Sequence, residues 1–344
     1  MSVRVGVIGL GMGREHVVNF KNAPDCQVVA LCDIDQGRLE AMCTEFGVPH
    51  GYRDYRDLLA RDDIDAVSIA VPNFLHRPIA IDALRAGKHV LCEKPMALNA
   101  AEAEEMHLKA MRANRKFMMH FNFRFHHDAQ WLKQGIDRGE IGDIYYVKTG
   151  WIRRRGVPGL GGWFTNRAQS GGGPLIDIAI HRLDLALWLM GYPEVVSVTG
   201  QTFSEIAPQI ASRERAHFDV EDLASAFIRL KNDAVIVLEA SWALNTPEWE
   251  FWYTDLYGTR GGGELRRNNE GHTWARIVRE EWGHWHETWW DGSHVSKETA
   301  QAHFVRCIRD DLEPMASSYH GVQVMRILDA IYESADTGRE VILD

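Results

Sequence analysis

A lysine, a carboxylate and an imidazole stand in this chain in settings that suit proton and charge handling at an alcohol oxygen. Lys94 lies in Glu93-Lys94-Pro95, directly after the apolar run from His89 to Cys92. Asp177 and His181 sit four residues apart behind Gly171-Gly172-Gly173. Oxidising a secondary alcohol requires removal of the hydroxyl proton while hydride leaves carbon, and imidazole, with an unperturbed pKa of ~6.5, accepts a proton around neutrality. An ammonium such as that of Lys94 stabilises the developing alkoxide, and a carboxylate such as Asp177 holds a second hydroxyl. Residues three or four apart share a helical face, so Asp177, His181 and Asp184 are expected on one stripe.

The chain opens on a nucleotide cradle. Residues 3–13 read as a strand running into a helix through Gly9, Gly11, Met12 and Gly13. Free backbone N–H groups and the positive helix end favour a pyrophosphate there, and glycine lets the phosphate approach the backbone. The third glycine comes one position early, and Arg14 fills the slot that G-x-G-x-x-G would give it. Asp33, 24 residues beyond Gly9, closes a second strand, where a carboxylate accepts from a ribose diol and repels a 2'-phosphate. Ile34 follows with no arginine or serine beside it, so NAD is expected over NADP, although Arg38 leaves a phosphate contact open.

Two kinds of element must position these groups. Strands read at Val3 to Ile8, Cys26 to Cys32, Ala66 to Val71, His89 to Cys92 and Lys116 to His120, with helices beginning near Arg14, Gln36, Tyr55, Pro78 and Asn99. Such alternation predicts βαβ units, a parallel sheet and a doubly wound nucleotide-binding domain over 1–122. From 123 to 344 the reading is an α+β domain with a large, mainly antiparallel sheet. Its strands are expected at Ile144 to Ile152, Val195 to Phe203, Ala224 to Lys231, Val235 to Trp242 and Phe251 to Tyr257. Helices are expected at Phe125 to Gly139, Pro174 to Met190, Thr299 to Asp311 and Gly321 to Thr337. All 12 tryptophans lie at or after Trp131.

Composition narrows the class. A chain of 344 residues suits two cores. A net charge of -10 argues against nucleic acid, and the basic runs Arg153 to Arg155 and Arg266-Arg267 read as solvated positions or as contacts to an acidic group or subunit. Five cysteines without C-x-x-C spacing point to a reduced, cytoplasmic compartment. Val3 to Ile8 is too short for a signal peptide's apolar region, and no apolar stretch is long enough to span a bilayer. His126-His127 and His284-x-His286 lack accompanying ligands at metal spacing, so no metal is expected. Trp282, Trp285, Trp289 and Trp290 read as sheet packing or a subunit interface, with a sugar-stacking platform as the other reading.

Taken in order, the glycine turn, Val71-Pro72-Asn73 with His76, Glu93-Lys94-Pro95 and Asp177-x-x-x-His181 resemble the Gfo/Idh/MocA oxidoreductase family over essentially the whole chain. The resemblance implies that Lys94 bridges cofactor and substrate, Asp177 binds substrate and His181 is the acid/base. It places Pro72, Asn73, His76, Glu93 and Asn122 on the cofactor side, and Trp163 of Gly162-Trp163-Phe164 on a loop reaching nicotinamide or substrate. Phe164 stands where relatives often carry arginine. Arg124 is open between a structural ion pair and the active cleft. The implied activity is NAD-dependent oxidation of a secondary hydroxyl of a sugar, inositol or polyol. Transient use of tightly held NAD and a non-catalytic, NAD-binding regulatory role are the rival readings. A homodimer or homotetramer formed through the C-terminal sheet is also implied.

Overall fold

Strands covered on both faces by helices carry near-continuous apolar runs, and the first of these in the chain behave accordingly. In the computed structural model, which describes residues 2–293 and 298–343, β1 (Val3–Ile8), β2 (Cys26–Cys32), β3 (His50–Tyr52), β4 (Ala66–Ile69), β5 (His89–Cys92) and β6 (Phe117–Met119) pair in parallel. Their order, β3-β2-β1-β4-β5-β6, is that of a dinucleotide-binding sheet. Between them run α1 (Gly13–Asn22), α2 (Gln36–Phe46), α3 (Tyr55–Leu59), α4 (His76–Arg85) and α5 (Ala100–Ala113). Asp35 and Asn99 cap α2 and α5 by accepting the N–H groups of Arg38 and Glu102. α1 begins after Met12 with no side-chain cap, which leaves its first N–H groups to the glycine turn.

The expected positions of these elements hold, with two differences. The strand read as Ala66 to Val71 stops at Ile69, and β3 was not foreseen, because His50-Gly51-Tyr52 has no apolar pattern and is held by pairing to β2.

A second unit is built on one nine-stranded sheet. Along the chain come α6 (His127–Asp137), β7 (Ile144–Arg153), α7 (Arg167–Ser170), α8 (Ile180–Leu189), β8 (Val195–Phe203), α9 (Ala207–Glu214), β9 (Leu223–Leu230) and β10 (Val235–Ser241). They are followed by β11 (Glu250–Gly258), β12 (Gly261–Arg267), β13 (Thr273–Glu281) and β14 (His284–Trp289). Later in the chain come α10 (Ala300–Arg309), which belongs to the first unit, then α11 (Ser318–Thr337) and β15 (Val341–Ile342). The sheet order is β14-β13-β12-β11-β7-β10-β9-β8-β15, antiparallel throughout except for the parallel pair β7 and β10. β9 alternates buried and exposed positions, as a strand with one covered face should, and α8 packs on β7, β10 and β11.

Strands β12 to β14 escaped the sequence reading because their stretch is rich in Arg and Glu. Those charges pair across strands, Arg276 with Glu264 and with Glu287, a source of strand stability visible only once the register is set.

Packing adds to the cut expected after residue 122. Residues 298–325 return to the first unit, and 123–297 with 326–344 form the second. In the first unit α10 packs on α1, β1 and β5, and the Met119 N–H donates to the Ala316 carbonyl at 2.7 Å.

Candidate active site

The glycine turn is held from below. Gly9 has φ 86°, and a Cβ there would lie 2.5 Å from the Ala70 carbonyl oxygen, so both conformation and space require glycine. Gly11 and Met12 are exposed, and Gly13 is buried as the first residue of α1. Asp33 is buried, with Oδ2 accepting from the Leu10 N–H at 2.8 Å and Oδ1 from the Asp35 N–H at 2.8 Å. The Arg38 guanidinium reaches Asp33 Oδ2 at 3.2 Å, and Ile34 beside it is exposed. Arg14 pairs with Glu45.

Beyond β4, Pro72 leads into a short turn at Asn73–Leu75, with Asn73 buried. The fully buried His76 ring lies between two carbonyls, Val71 at 2.8 Å from Nε2 and Pro95 at 2.7 Å from Nδ1, one of which accepts the single N–H of the neutral ring, and burial pushes its pKa down. Beyond β5, Lys94 is half-buried and its peptide bond to Pro95 is cis. The Glu93 carboxylate accepts from His16 at 2.9 Å, from His120 at 2.7 Å and from the Lys94 N–H at 3.1 Å. Burial alone would raise that carboxyl, yet His120 and His16 hold it well below the usual range. Asn122 Oδ1 is buried without a hydrogen-bond partner among the described residues.

These features fit a dinucleotide. Uncapped N–H groups at α1 suit a pyrophosphate, and the orphaned Asn122 oxygen suits a donor such as a carboxamide NH2.

In the second unit the expected helix from Pro174 starts as a π-helical turn over Leu175–Ala179 and continues as α8. Its start is fixed by a residue the sequence reading missed. The buried Glu221 carboxylate accepts the Gly173 N–H at 2.9 Å, the Leu175 N–H at 3.0 Å and the Tyr332 hydroxyl at 3.0 Å. Glu221 and Tyr332 approach Gly173 and Gly172 so closely that a side chain at either would collide with them. From Leu175 to Leu187, Asp177 and His181 are the two residues that are not buried.

A second missed residue, the fully buried Trp242, donates its indole N–H to Asp177 Oδ2 at 3.1 Å. The His181 ring stands edge-on to Phe123, with centroids 5.1 Å apart. Next in sequence, Arg182 is fully buried and its three nitrogens have no hydrogen-bond partner among the described residues. Its guanidinium lies 3.9 Å from the Phe123 centroid and 4.3 Å from that of Trp252, and burial pushes its pKa down to about 9 against the pull of Asp128 and Asp184.

Asp184 leaves the expected stripe. Three residues past His181 on an α-helix it is turned by about 60°, and it is buried against Arg124 at 2.6 and 2.9 Å, with Tyr192 bonded to both. Trp163 and Phe164 stack on each other at 3.8 Å in the short turn Trp163–Thr165.

Among the described residues His16, Glu93 and His120 form the group with metal-ligating composition, and it includes neither His126-His127 nor His284-x-His286. A cavity of about 770 Å³ lies against β7 and β11 to β14, lined by Tyr145, Tyr257, Arg266, Arg276 and Trp285, and contains none of the proposed site residues. All five cysteines are unpaired, and no described helix is long and apolar enough to cross a membrane.

A parallel sheet in dinucleotide-binding order with a glycine turn, joined in one chain to a unit carrying half-exposed Asp177 and His181, defines an NAD-binding oxidoreductase. The chain belongs to the Gfo/Idh/MocA family: residues 3–121 match the "Oxidoreductase family, NAD-binding Rossmann fold" and residues 133–343 its "C-terminal alpha/beta domain". It is 31% identical to D-glucoside 3-dehydrogenase of Escherichia coli (strain K12), over 99% of this chain and 97% of that one. Levoglucosan dehydrogenase in complex with NADH superposes with a TM-score of 0.88 at 25% identity, covering 100% of both chains. The aldose-aldose oxidoreductase from Caulobacter crescentus superposes with a TM-score of 0.85 at 26% identity, again covering 100% of both.

Proposed function

We propose that this protein is an NAD(H)-dependent dehydrogenase acting on a secondary hydroxyl of a sugar, inositol or related polyol. The observation carrying this reading is the pair Asp177 and His181, half-exposed on an otherwise buried segment, in a chain similar over its length to a D-glucoside 3-dehydrogenase. Bound NAD supplies the hydride acceptor. His181 takes the hydroxyl proton on a ring nitrogen, and the Lys94 ammonium stabilises the negative charge that grows on the oxygen. Asp177, oriented by the Trp242 N–H, accepts from a neighbouring hydroxyl.

Gly9, Gly11, Met12, Gly13, Asp33, Ile34 and Arg38 hold the cofactor together with Pro72, Asn73, His76, Lys94 and Asn122; Glu93 serves the same side through the Lys94 backbone, which its carboxylate bonds, and Trp163 serves the substrate side. Unpaired cysteines support a reducing, cytoplasmic setting. Exposed Trp282, Trp285 and Trp289 support pairing of subunits through the C-terminal sheet. Similarity to an aldose-aldose oxidoreductase supports a second reading, in which NAD stays bound and is reduced and reoxidised within one turnover.

The test is a panel of D-glucosides, levoglucosan, myo-inositol and aldoses incubated with purified protein and NAD, following NADH absorbance. Net NADH formation is expected. Lys94→Ala should lower kcat by about 100-fold, or ~2.7 kcal/mol, with NADH affinity changed less than about threefold. NADH seen only bound and transient would favour the second reading. No reduction of cofactor by any member, free or bound, would overturn both.

A further inference from the structure

The surroundings of Glu93 form a closed chain of hydrogen bonds that ends on the backbone of Lys94. Both imidazoles address the same oxygen, His16 Nε2 at 2.9 Å and His120 Nδ1 at 2.7 Å from Glu93 Oε1. A carboxylate only accepts, so each of those ring nitrogens carries hydrogen. The opposite nitrogens are engaged as well: His16 Nδ1 lies 2.7 Å from Ser68 Oγ, and His120 Nε2 lies 3.1 Å from Gln301 Nε2. Ser68, His16, His120 and Gln301 are all buried, and they come from β4, α1, the residue after β6 and α10. Oε2 of Glu93, the other end of the carboxylate, takes the Lys94 N–H at 3.1 Å. One residue on, the Pro95 carbonyl is bonded to the buried His76 ring, which also meets the Val71 carbonyl. The two backbone groups flanking Lys94 are thus tied to side chains rooted in different elements of one unit.

We propose that His16 and His120 are positioning residues, acting through the Glu93 carboxylate to fix the backbone from which Lys94 projects. This rests on the reading of Lys94 as the group that stabilises charge on the reacting oxygen. A displacement of about 1 Å in such a group costs on the order of 100-fold in rate. A long, flexible lysine side chain holds its ammonium in place only as well as its backbone is held. The same three side chains have the composition of a metal site. A cation there would have to displace both ring hydrogens from Oε1, whereas the hydrogen bonds already satisfy both carboxylate oxygens and all four nitrogens of His16 and His120.

The test uses the intact protein with NADH titrated by fluorescence and turnover followed on the substrate that the panel identifies. Glu93→Gln removes either the acceptor for the Lys94 N–H or that for the two rings, and kcat should fall at least tenfold while the NADH Kd moves less than about threefold. His120→Ala should behave alike. His120→Asn, whose amide nitrogen replaces Nδ1, and His16→Gln, whose amide nitrogen replaces Nε2, should recover most of the loss that the alanine variants show. Should His120→Ala fail to fold, Glu93→Gln and the amide variants still decide. In a Lys94→Ala background, Glu93→Gln should add less than about twofold, because its target is gone.

A tenfold rise in NADH Kd with kcat unchanged at saturation would make Glu93 a cofactor contact and overturn the proposal. Multiplicative losses with Lys94→Ala would do the same, as would stoichiometric zinc whose chelation abolishes activity. Failure of the underlying reading is separately visible, since Lys94→Ala alone would then keep its kcat.

Discussion

Asp184→Leu is expected to be among the most damaging single substitutions in the second unit, because it strands a buried guanidinium. Arg124 is fully buried and the Asp184 side chain is 2% exposed, so no solvent stands by to replace the lost partner. The pair is bidentate, Nε to Oδ2 at 2.9 Å and a terminal nitrogen to Oδ1 at 2.6 Å, with the Tyr192 hydroxyl at 2.9 Å from Arg124 and 2.7 Å from Asp184. Tyr192 does not take over as an anion, since burial, the largest cause of its raised pKa, persists when Asp184 is gone. Breaking a buried pair on one side costs about 3–5 kcal/mol, whereas replacing both members with apolar groups is often neutral.

At roughly 2–4 °C per kcal/mol for a unit of this size, Asp184→Leu should lower Tm by on the order of 6–20 °C. The double variant Arg124→Met with Asp184→Leu should regain at least half of that. Urea and thermal unfolding of both single variants and the double, at one ionic strength, supply the comparison. A loss under about 1 kcal/mol for Asp184→Leu, or a double variant as poor as the two singles added, would refute the reasoning and return Arg124 to the catalytic candidates.

Acid should weaken the first unit before its carboxylates titrate. His89 Nδ1 accepts the Lys116 N–H at 2.9 Å, and burial, then Arg115 and Lys116, push its pKa from 6.5 to about 4. The folded pKa is depressed, so the contribution is complete above pH 6.5 and is lost as pH falls from there to about 4. Stability measured by urea at stepped pH should decline over that window, and His89→Asn, which offers an acceptor that does not titrate, should flatten the decline; identical slopes would count against His89. For the cofactor, kcat/KM should favour NAD over NADP by at least about tenfold, ~1.4 kcal/mol, because Asp33, proposed to accept from the ribose diol, itself engages Arg38. Asp33→Ser should narrow the gap by releasing Arg38, and equal efficiency of the unaltered protein with NADP would sink the assignment.

Local signals in the sequence settled the elements around the cofactor turn. Val3 to Ile8 and Cys26 to Cys32 are mainly apolar runs, broken by Arg4 and by Gln27 and ending at Gly9 and Asp33, and they are strands at those same bounds because the preference is written into consecutive residues. Gly9, Asp33, Glu93 and Lys94 stand out in the sequence for a related reason: each follows closely on such a strand, where a glycine or polar residue after an apolar run is conspicuous. Long-range partners left no such mark. Glu221 anchors the start of the Asp177 segment from 46 residues away in sequence, and Trp242 reaches Asp177 from 65. Nothing local distinguishes either from an ordinary strand-edge residue. Arg124, open to two readings as a sequence, and Asp184, expected on the stripe of Asp177 and His181, form a buried pair only through packing, which decides which charges lose their water and must find each other. The return of residues 298–325 to the first unit is of the same kind, a matter of which apolar helix face meets which, and no window of neighbouring residues contains that information.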